Sequence, residues 1–299
     1  MTPAERMPKV SVVIPVFNRG RFIRETIESV LGQTYRDLEV IAVDDGSQDD
    51  SRAILESFGP SIRVIEHPGR ENRGQSASIN RGLREARGDF IGILDSDDLW
   101  LPDKLAVQVG YFDAHPDVGL VYGNGWVIDA SGRRQYPVYA PGHNELSDPG
   151  RVLLDCYFLL PSNSLVRADV FRRTGFFDES FRAAQDHDMA IRIAEVTRLA
   201  YVDAPIFCYR RHDDSISVRS AERRWRNGFV ILERAARRYP YPHAVVRRRR
   251  AVLHFRLGQC EMTAGRVLPA FRHFFAAGLL DPARAISVLF GSERVTSPN

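Results

Sequence analysis

Cysteine is scarce in this sequence: Cys156, Cys208 and Cys260 are the three in 299 residues, and no two form a C-x-x-C pair. This spacing argues against a zinc ribbon, a redox-active dithiol and a disulfide-built domain, and it favours a reducing compartment. The N-terminal segment has no apolar run long enough for a signal peptide. No stretch approaches the roughly 20 apolar residues of a membrane span. The sequence therefore predicts a cytoplasmic protein.

Two common nucleotide-binding motifs are also absent. No G-x-G-x-x-G follows a predicted strand, which argues against a nicotinamide-dependent dehydrogenase. No G-x-x-x-x-G-K-[ST] occurs either, which argues against a P-loop ATPase. A nucleotide-dependent function therefore has to rest on other residues.

Lysine is missing from the C-terminal part, where arginine is abundant. From Arg219 onward there are sixteen arginines, no lysine and five acidic residues, so this part carries +11 and the remainder −8 within a net charge of +3. Solvated helix faces would explain the pattern, and so would a contact with anionic lipid headgroups or an acidic partner. No recognised nucleic-acid-binding motif accompanies the charge, so nucleic acid is not a predicted partner.

The first hundred residues alternate between strand and helix patterns. Val10 to Val16 is a short β-branched run typical of a buried strand, and residues 21–31 place their apolar side chains on one helical stripe. The same alternation predicts strands at 38–43, 62–65 and 90–94 and helices at 49–58 and 76–86. Such alternation favours a parallel sheet with right-handed crossovers. Polar loops at 17–19, 44–47 and 95–98 should then meet at the sheet edge where ligands bind.

The rest of the sequence is less regular. The pattern predicts helices at 102–114 and 186–196, strands at 118–128 and 200–211, and a mobile loop rich in glycine and proline at 132–149. The last eighty residues are helical in pattern, with a helical hairpin over 259–280 broken near Pro269.

Three carboxylates stand together in the acidic turn Asp95-Ser96-Asp97-Asp98, directly after a predicted strand. Like charges this close repel one another unless a cation lies among them. Oxygen ligands suit Mg²⁺ or Mn²⁺, which in turn bind diphosphate oxygens. A solvated turn that caps the helix after Pro102 is the competing interpretation, and this short motif alone does not decide between them.

A second acidic turn, Asp44-Asp45-Gly46-Ser47, ends an earlier strand at the same predicted edge. A carboxylate in this position can accept hydrogen bonds from a nucleobase N–H or from ribose hydroxyls. Ordinary turn chemistry explains the same four residues and is the favoured interpretation of this motif taken alone.

Five segments then occur in a fixed order. They are V-S-V-V-I-P-V-F-N (10–18), V-L-G-Q-T-Y (30–35), E-V-I-A-V-D-D-G-S-Q-D (39–49), E-N-R-G-Q-S-A-S-I-N (71–80) and G-D-F-I-G-I-L-D-S-D-D-L-W-L-P (88–102). Together they resemble the inverting family 2 glycosyltransferases. The resemblance is close over about residues 8–105 and looser in P-S-N-S-L-V-R (161–167), Q-D-H-D-M-A-I-R (185–192) and Y-R-R-H-D-D-S-I-S (209–217).

The resemblance implies an α/β fold of the GT-A type, a Rossmann-like and mostly parallel sheet flanked by helices, with a C-terminal helical extension. Residues 8–105 would form the nucleotide-sugar-binding half. Residues 106–218 would form the acceptor-binding and catalytic-base half, and residues 219–299 the arginine-rich extension.

The resemblance also implies roles for individual residues. Those expected to contact the nucleotide-sugar are Pro15, Phe17, Asn18, Asp45, Arg73, Asp95, Ser96 and Asp97. Those expected to hold Mn²⁺ or Mg²⁺ are Asp97, Asp98 and His212. Ser162 and Asn163 would contact the acceptor. Asp186 would be the catalytic base, with Asp188 as its rival, although the family more often has Glu-Asp where this chain has Gln185-Asp186.

The implied reaction is a metal-dependent, inverting transfer from a nucleotide diphosphate donor, with a UDP-sugar favoured, to a hydroxyl of a glycan or glycolipid. Surface polysaccharide or lipopolysaccharide assembly is the implied setting, at the inner membrane face if the acceptor is lipid-linked. Arg224-Trp225 lacks the glutamine of the Q-x-x-R-W motif of processive members, which predicts single addition.

Two alternatives remain open at this level. A sugar-nucleotide pyrophosphorylase would begin with a glycine-rich signature bearing arginine and lysine, which is absent between Val10 and Arg24. A non-catalytic binding or scaffolding protein on the same fold would be expected to lose part of the acidic set, yet Asp45, Asp186 and the whole acidic turn are present.

Overall fold

The computed structural model describes residues 7–155, 158, 160–212 and 221–283. The described residues group into two compact units whose sequences interleave. The first unit draws on Met1–Ser147, Phe158–Ser180 and Arg192–His212, and the second on Asp148–Tyr157, Phe181–Ile191 and Asp213–Asn299. The sequence-based division into 8–105, 106–218 and 219–299 stays a prediction.

One sheet forms the centre of the first unit. Its strands in the described part of the chain are β1 (Val10–Val16), β2 (Leu38–Asp44), β3 (Arg63–Glu66), β4 (Phe90–Ile93), β5 (Leu99–Trp100), β6 (Val118–Ile128), β7 (Arg134–Pro137), β8 (Ser164–Arg167) and β9 (Arg198–Arg210). The spatial order is β3-β2-β1-β4-β8-β6-β9-β5, with β7 paired to β6.

The N-terminal part of the sheet is parallel, as the strand and helix alternation predicts. β1 lies between β2 and β4, and both pairs are parallel; β3 is parallel to β2. The later strands mix directions, since β8 is antiparallel to β4 and β6, whereas β9 is parallel to β6. The expected α/β architecture is confirmed.

The helices fall in both units. They are α1 (Ile23–Leu31), α2 (Ser51–Glu56), α3 (Gln75–Glu85), α4 (Lys104–Ala114), α5 (Pro149–Leu154), α6 (Leu160–Asn163), α7 (Ala168–Thr174), α8 (Gln185–Val196), α9 (Ala221–Arg238), α10 (His243–Thr263) and α11 (Val267–Leu280). Within the described ranges no helix is both long and apolar enough to cross a membrane.

Burial explains why β1 and its neighbours form the core of the first unit. Every residue of β1 is buried, and Ile23, Ile27 and Val30 on the inner stripe of α1 are fully buried. The close approach of α3 to β1 depends on Gly82, because a Cβ there would lie 2.3 Å from Val13 Cγ1. These contacts fix the strand ends that carry the polar loops.

The C-terminal helices differ from the sequence expectation in one respect. The break between α10 and α11 falls at residues 264–266, and Pro269 lies inside the first turn of α11. Proline is tolerated there because the N–H groups of a first helical turn have no partner within the helix.

The loop predicted at 132–149 also differs from the expectation, since it contains a short strand, β7, paired with β6.

A buried polar cluster joins α5, α8 and α10 within the second unit. Arg249 donates to the carbonyl oxygen of Leu154 at 2.7 Å and lies 3.1 Å from Nδ1 of His187. His187 Nε2 lies 3.1 Å from the carbonyl oxygen of Val152. Burial, and next the positive charge of Arg249, lowers the pKa of His187 to about 3. The imidazole is therefore neutral at physiological pH.

Candidate active site

The carboxyl ends of β1, β2 and β4 bring the predicted polar loops to one edge of the sheet. Val16 pairs with Asp44, and Val13 pairs with Ile93, so the three strands end side by side. The Asp45 N–H donates to the carbonyl oxygen of Val16 at 2.8 Å. The loops that follow these strands supply the predicted nucleotide and metal residues.

Asp45 anchors the loop that precedes α3. Its carboxylate, 3% exposed, accepts the backbone N–H groups of Arg73 at 2.7 Å and Gly74 at 2.8 Å. Gly74 has φ = 88°, a conformation that favours glycine. The structure thus joins Asp45 and Arg73, two of the predicted nucleotide residues.

His67 lies behind the same carboxylate. Its Nε2 is 3.0 Å from the Ser78 hydroxyl and 3.5 Å from Asp45 Oδ1. Burial lowers the pKa of His67, although the negative charge of Asp45 acts in the opposite direction. His67 cannot be identified from the sequence, because a histidine after a short strand carries no local signal of this contact.

The β1 end provides the other predicted nucleotide residues. Pro15 is buried in the strand, whereas Phe17 and Asn18 are exposed after it. Asn18 adopts φ = 51°, and its side-chain oxygen accepts the N–H of Gln48 at 2.8 Å. Its backbone N–H donates to the Ser47 hydroxyl at 3.1 Å. These bonds tie the β1 end to the Asp44–Ser47 turn.

Asp98 is the buried anchor of the acidic turn. It is 1% exposed, and its two carboxylate oxygens accept the Arg210 backbone N–H at 2.7 Å and the Ser162 hydroxyl. Burial, and next the negative charges of Asp97 and Asp95, raises the pKa of Asp98 well above its ordinary value. With both oxygens engaged by the protein, Asp98 holds the turn in place.

Asp97 presents its carboxylate to two cationic or potentially cationic side chains. Its Oδ2 lies 2.9 Å from His212 Nε2 and 3.3 Å from Arg19 Nε. The His212 ring lies against Phe22, with ring centroids 4.9 Å apart. Arg210 donates to the Asp97 carbonyl oxygen at 2.7 Å. The structure thus brings together Asp97 and His212, two of the three predicted metal ligands.

Arginines relieve part of the charge repulsion in the acidic turn. Arg210, 2% exposed, pairs with Glu25 at 2.7 Å while it holds the Asp97 backbone. Arg19 follows the polar end of β1 and reaches Asp97 directly. Sequence reasoning missed both arginines, since only the long-range fold distinguishes them from surface arginines. Asp95 is held separately, by the side-chain amide of Gln75 at 2.7 Å.

The side chains of Asp97 and His212 suit a divalent cation whose remaining coordination positions are filled by a bound ligand. Among the described residues no group of three or more His, Cys, Asp or Glu side chains is arranged to hold a metal ion. Asp97 and His212 supply one oxygen and one nitrogen donor, 2.9 Å apart. Mg²⁺ typically uses one or two protein carboxylates and completes its shell with water and phosphate oxygens. The pair therefore fits a metal held jointly with a diphosphate.

Ser162 and Asn163, the predicted acceptor residues, are buried in this structure, 2% and 0% exposed. The Ser162 hydroxyl binds Asp98, and the Asn163 amide donates to the Tyr139 hydroxyl at 2.8 Å. Trp100 Nε1 donates to the Ser162 carbonyl oxygen at 2.8 Å. Contact of Ser162 and Asn163 with an acceptor stays a prediction. The Ser162 hydroxyl supports the acidic turn through Asp98, whereas Asn163 bonds to Tyr139 outside that turn.

Asp186 lies in the first turn of α8, in the second unit. It is partly exposed, whereas its rival Asp188 is buried at 3%. A base that takes a proton from an acceptor must be reachable by that acceptor. Local exposure therefore favours Asp186 over Asp188.

The fold and its edge of acidic turns define a GT-A-type domain, and comparison with known proteins supplies the family. The chain belongs to glycosyl transferase family 2, whose model matches residues 11–175. The resemblance inferred from the sequence is thereby confirmed at the level of the family.

Two relatives show how much of the chain is shared. An uncharacterized glycosyltransferase of Rickettsia typhi is 29% identical over 213 residues, 69% of this chain and 65% of that protein. A chondroitin synthase of Escherichia coli is 30% identical over 244 residues, 78% of this chain and 33% of that protein. The chain thus spans less than two thirds of either relative.

Two solved structures share the fold at low sequence identity. S. aureus TarS 1-349 in complex with UDP-GlcNAc has a TM-score of 0.71 and 19% identity, covering 95% of this chain and 92% of that one. The mannosyltransferase PcManGT from Pyrobaculum calidifontis, in complex with GDP-Man and Mn²⁺, has a TM-score of 0.63 and 20% identity, covering 98% and 82%.

Proposed function

We propose that this protein is a metal-dependent, inverting glycosyltransferase that takes a sugar from a nucleotide diphosphate donor. The observation that carries the proposal is the Asp97–His212 pair, 2.9 Å apart, in the same unit as the Asp45–Arg73 loop. Asp97 and His212 suit a cation bound to a diphosphate, and the Asp45–Arg73 loop suits a nucleoside. Both follow strands of the same sheet.

Asp97 and His212 are the residues that would hold Mn²⁺ or Mg²⁺. Bound there, the cation would act as a Lewis acid that stabilises the negative charge of the departing diphosphate. Asp98 contributes indirectly, because its buried carboxylate fixes the turn through Arg210 and Ser162. The Mn²⁺ in the PcManGT complex supports this assignment by analogy.

Asp45 is proposed to recognise the base of the nucleotide. Each carboxylate oxygen has two acceptor positions, and the backbone N–H groups of Arg73 and Gly74 use one on each oxygen. A base N–H can therefore bind Asp45 without breaking the loop. An acceptor at this point suits uracil, and the UDP-GlcNAc complex of TarS supports a UDP-sugar as donor.

Asp186 is proposed as the base that removes the acceptor hydroxyl proton. An inverting transfer is a single displacement at the anomeric carbon, and it needs such a group as the new bond forms. The Q-D-H-D motif and the partial exposure of Asp186 support this role. Ser162 also positions the acidic turn through its bond to Asp98, and acceptor contact by Ser162 and Asn163 remains part of the proposal.

The acceptor is proposed to be a glycan or glycolipid, in surface polysaccharide or lipopolysaccharide assembly. The chondroitin synthase among the relatives supports a polymer setting. The absent Q-x-x-R-W motif supports single addition. The excess of arginine after residue 219 supports contact with an anionic membrane surface at the cytoplasmic face.

A donor panel tests this function. UDP-, dTDP-, GDP- and ADP-sugars are incubated with the full chain and Mn²⁺, Mg²⁺ or EDTA, and the released nucleoside diphosphate is measured. We expect release from at least one donor, only with metal, and its loss in Asp97→Asn. Asp113→Asn is the matched control, since Asp113 is exposed on α4 away from the acidic turn. No metal-dependent release from any donor would contradict the proposal.

A further inference from the structure

The helix α11 exposes a continuous apolar stripe. The exposed fractions are 52% for Val267, 64% for Leu268, 61% for Phe271, 69% for Phe275 and 66% for Leu279. Four of these residues recur every fourth position, so they lie along one face of the helix. Isolated exposed apolar residues are ordinary, whereas a contiguous exposed row marks an interaction surface.

The opposite face of α11 is buried within the second unit and contributes to its core. Ala270 is fully buried and Ala277 is 9% exposed. Phe274 lies against α10 where Gly258 admits it, because a Cβ at Gly258 would be 2.6 Å from the Phe274 ring. The stripe therefore does not contribute to this core, although its side chains form an apolar row from Val267 to Leu279.

The charge of α11 and of residues 221–283 as a whole is positive. α11 contains no Asp or Glu, and Arg272 lies within the exposed face, exposed itself. Residues 221–283 carry thirteen arginines and four acidic residues. Two of those acids, Glu222 and Glu261, are paired with Arg226 and Arg266. The exposed surface of α11 thus combines an apolar row with the positive charge of Arg272 and has no acidic residue of its own.

The dimensions of α11 exclude one mode of lipid contact. Fourteen residues at 1.5 Å per residue make a helix of about 21 Å, shorter than the roughly 30 Å hydrocarbon core. A helix with Phe and Leu on one face and arginine beside it lies in the plane of the interface, with its apolar side chains below the headgroups. A second copy of this chain is a poorer occupant, because it would bring two cationic surfaces together.

We propose that the α11 stripe inserts into the interfacial region of an anionic lipid bilayer. Phe271 and Phe275 are its central anchors, and Arg272 beside them, with the net positive charge of residues 221–283, favours negatively charged headgroups. Insertion of this kind differs from a purely electrostatic contact with the membrane. Salt screens surface charge but leaves apolar insertion in place. It is also independent of the proposed transfer reaction, since binding requires neither donor nor metal.

The test is sedimentation of the full chain with vesicles of phosphatidylcholine alone or mixed with phosphatidylglycerol. We expect selective binding to the anionic vesicles, part of which survives high salt. Phe271→Ser and Phe275→Ser should each lower the partition coefficient by about tenfold, from the apolar burial lost. Leu146→Ser is the control, because Leu146 is 63% exposed in the other unit.

Thermal melting without vesicles verifies that the serine variants are folded, which their exposure predicts. Equal binding of the parent and the double variant would overturn the proposal, as would no binding to anionic vesicles. Sedimentation velocity without lipid provides a separate check. A stable dimer that Phe271→Ser and Phe275→Ser convert to a monomer would assign the stripe to self-association instead, and would also overturn it.

Discussion

His212 places its Nε2 atom 2.9 Å from Oδ2 of Asp97, although 115 residues separate them in sequence. The pairing of β5 with β9 explains this. Leu99 pairs with Cys208 and Trp100 with Phe207, so the chain that leaves the acidic turn runs antiparallel to the strand that ends before His212. The pairing of the two-residue strand β5 with β9 therefore brings the two proposed metal ligands together.

Asp45→Asn should weaken nucleotide binding. The substituted amide keeps one acceptor oxygen but turns an NH₂ group toward the N–H of Arg73 or Gly74, so one loop bond is lost. Hydrogen bonds to charged groups contribute about 1.5–3 kcal/mol, so we expect about a 10- to 100-fold rise in the Kd for UDP with Mn²⁺. Calorimetric titration measures it, and an unchanged Kd would remove Asp45 from the nucleotide site.

Ser162→Ala should destabilise the first unit. It removes the hydroxyl that donates to the buried carboxylate of Asp98 and leaves that oxygen without this donor. The expected loss is about 1–3 kcal/mol in the free energy of unfolding, measured by urea denaturation. Ser61→Ala is the control, because Ser61 is exposed. If both variants match the parent, Ser162 does not support the acidic turn.

Asp186→Asn should separate chemistry from binding. General-base catalysis typically contributes 10²–10⁴-fold, so we expect transfer to fall by about 100-fold or more while donor affinity stays nearly unchanged. Asp188→Asn should act mainly on stability, because Asp188 is buried. Single-turnover transfer and donor titration are measured on both variants. Full activity in Asp186→Asn, or lost donor binding, would exclude Asp186 as the base.

His187 should make the second unit sensitive to acid. Its folded pKa of about 3 lies below the unfolded value of 6.5, so the unfolded chain binds the proton first. The contribution to stability is present above about pH 6.5 and is lost progressively as the pH falls toward 3. By linkage its upper limit is about 5 kcal/mol.

Urea denaturation at several pH values checks the His187 contribution. We expect His187→Gln to flatten the fall in unfolding free energy between about pH 6.5 and pH 3, because glutamine has no proton to gain. Exposed His115 provides the control substitution, His115→Gln. An equal acid dependence in parent and His187→Gln would show that another group is responsible.

Strand and helix patterns predicted those elements whose boundaries are set by neighbouring residues in the sequence. The β1 boundaries, Val10 to Val16, agree with the structure because a buried β-branched run ends at a polar turn. The β5–β9 pairing was not predictable, since two residues at 99–100 carry no periodicity. The roles of Arg19 and Arg210 were missed for the same reason, because each depends on a partner at least 78 residues away.

In the candidate site, too, some features could be predicted from local sequence and others depend on long-range contacts. Residue type and order placed Asp45 and the acidic turn at the sheet edge, but they did not distinguish Asp97 from Asp98. Only the fold shows that Asp98 turns inward to Arg210 and Ser162, while Asp97 faces His212 and Arg19. Residue type likewise did not show that the Asn163 side chain is fully enclosed and bonded to Tyr139.

The most direct test of a metal-dependent nucleotide site at Asp97 and His212 is thermal melting of the full chain with UDP. At a UDP concentration 100 times its Kd, binding would stabilise the protein by about 2.7 kcal/mol. For a chain of this size we expect a rise in Tm of a few degrees with Mn²⁺, little rise with EDTA, and none in Asp97→Asn. A rise that is equal with Mn²⁺ and EDTA, or that persists fully in Asp97→Asn, would contradict the account.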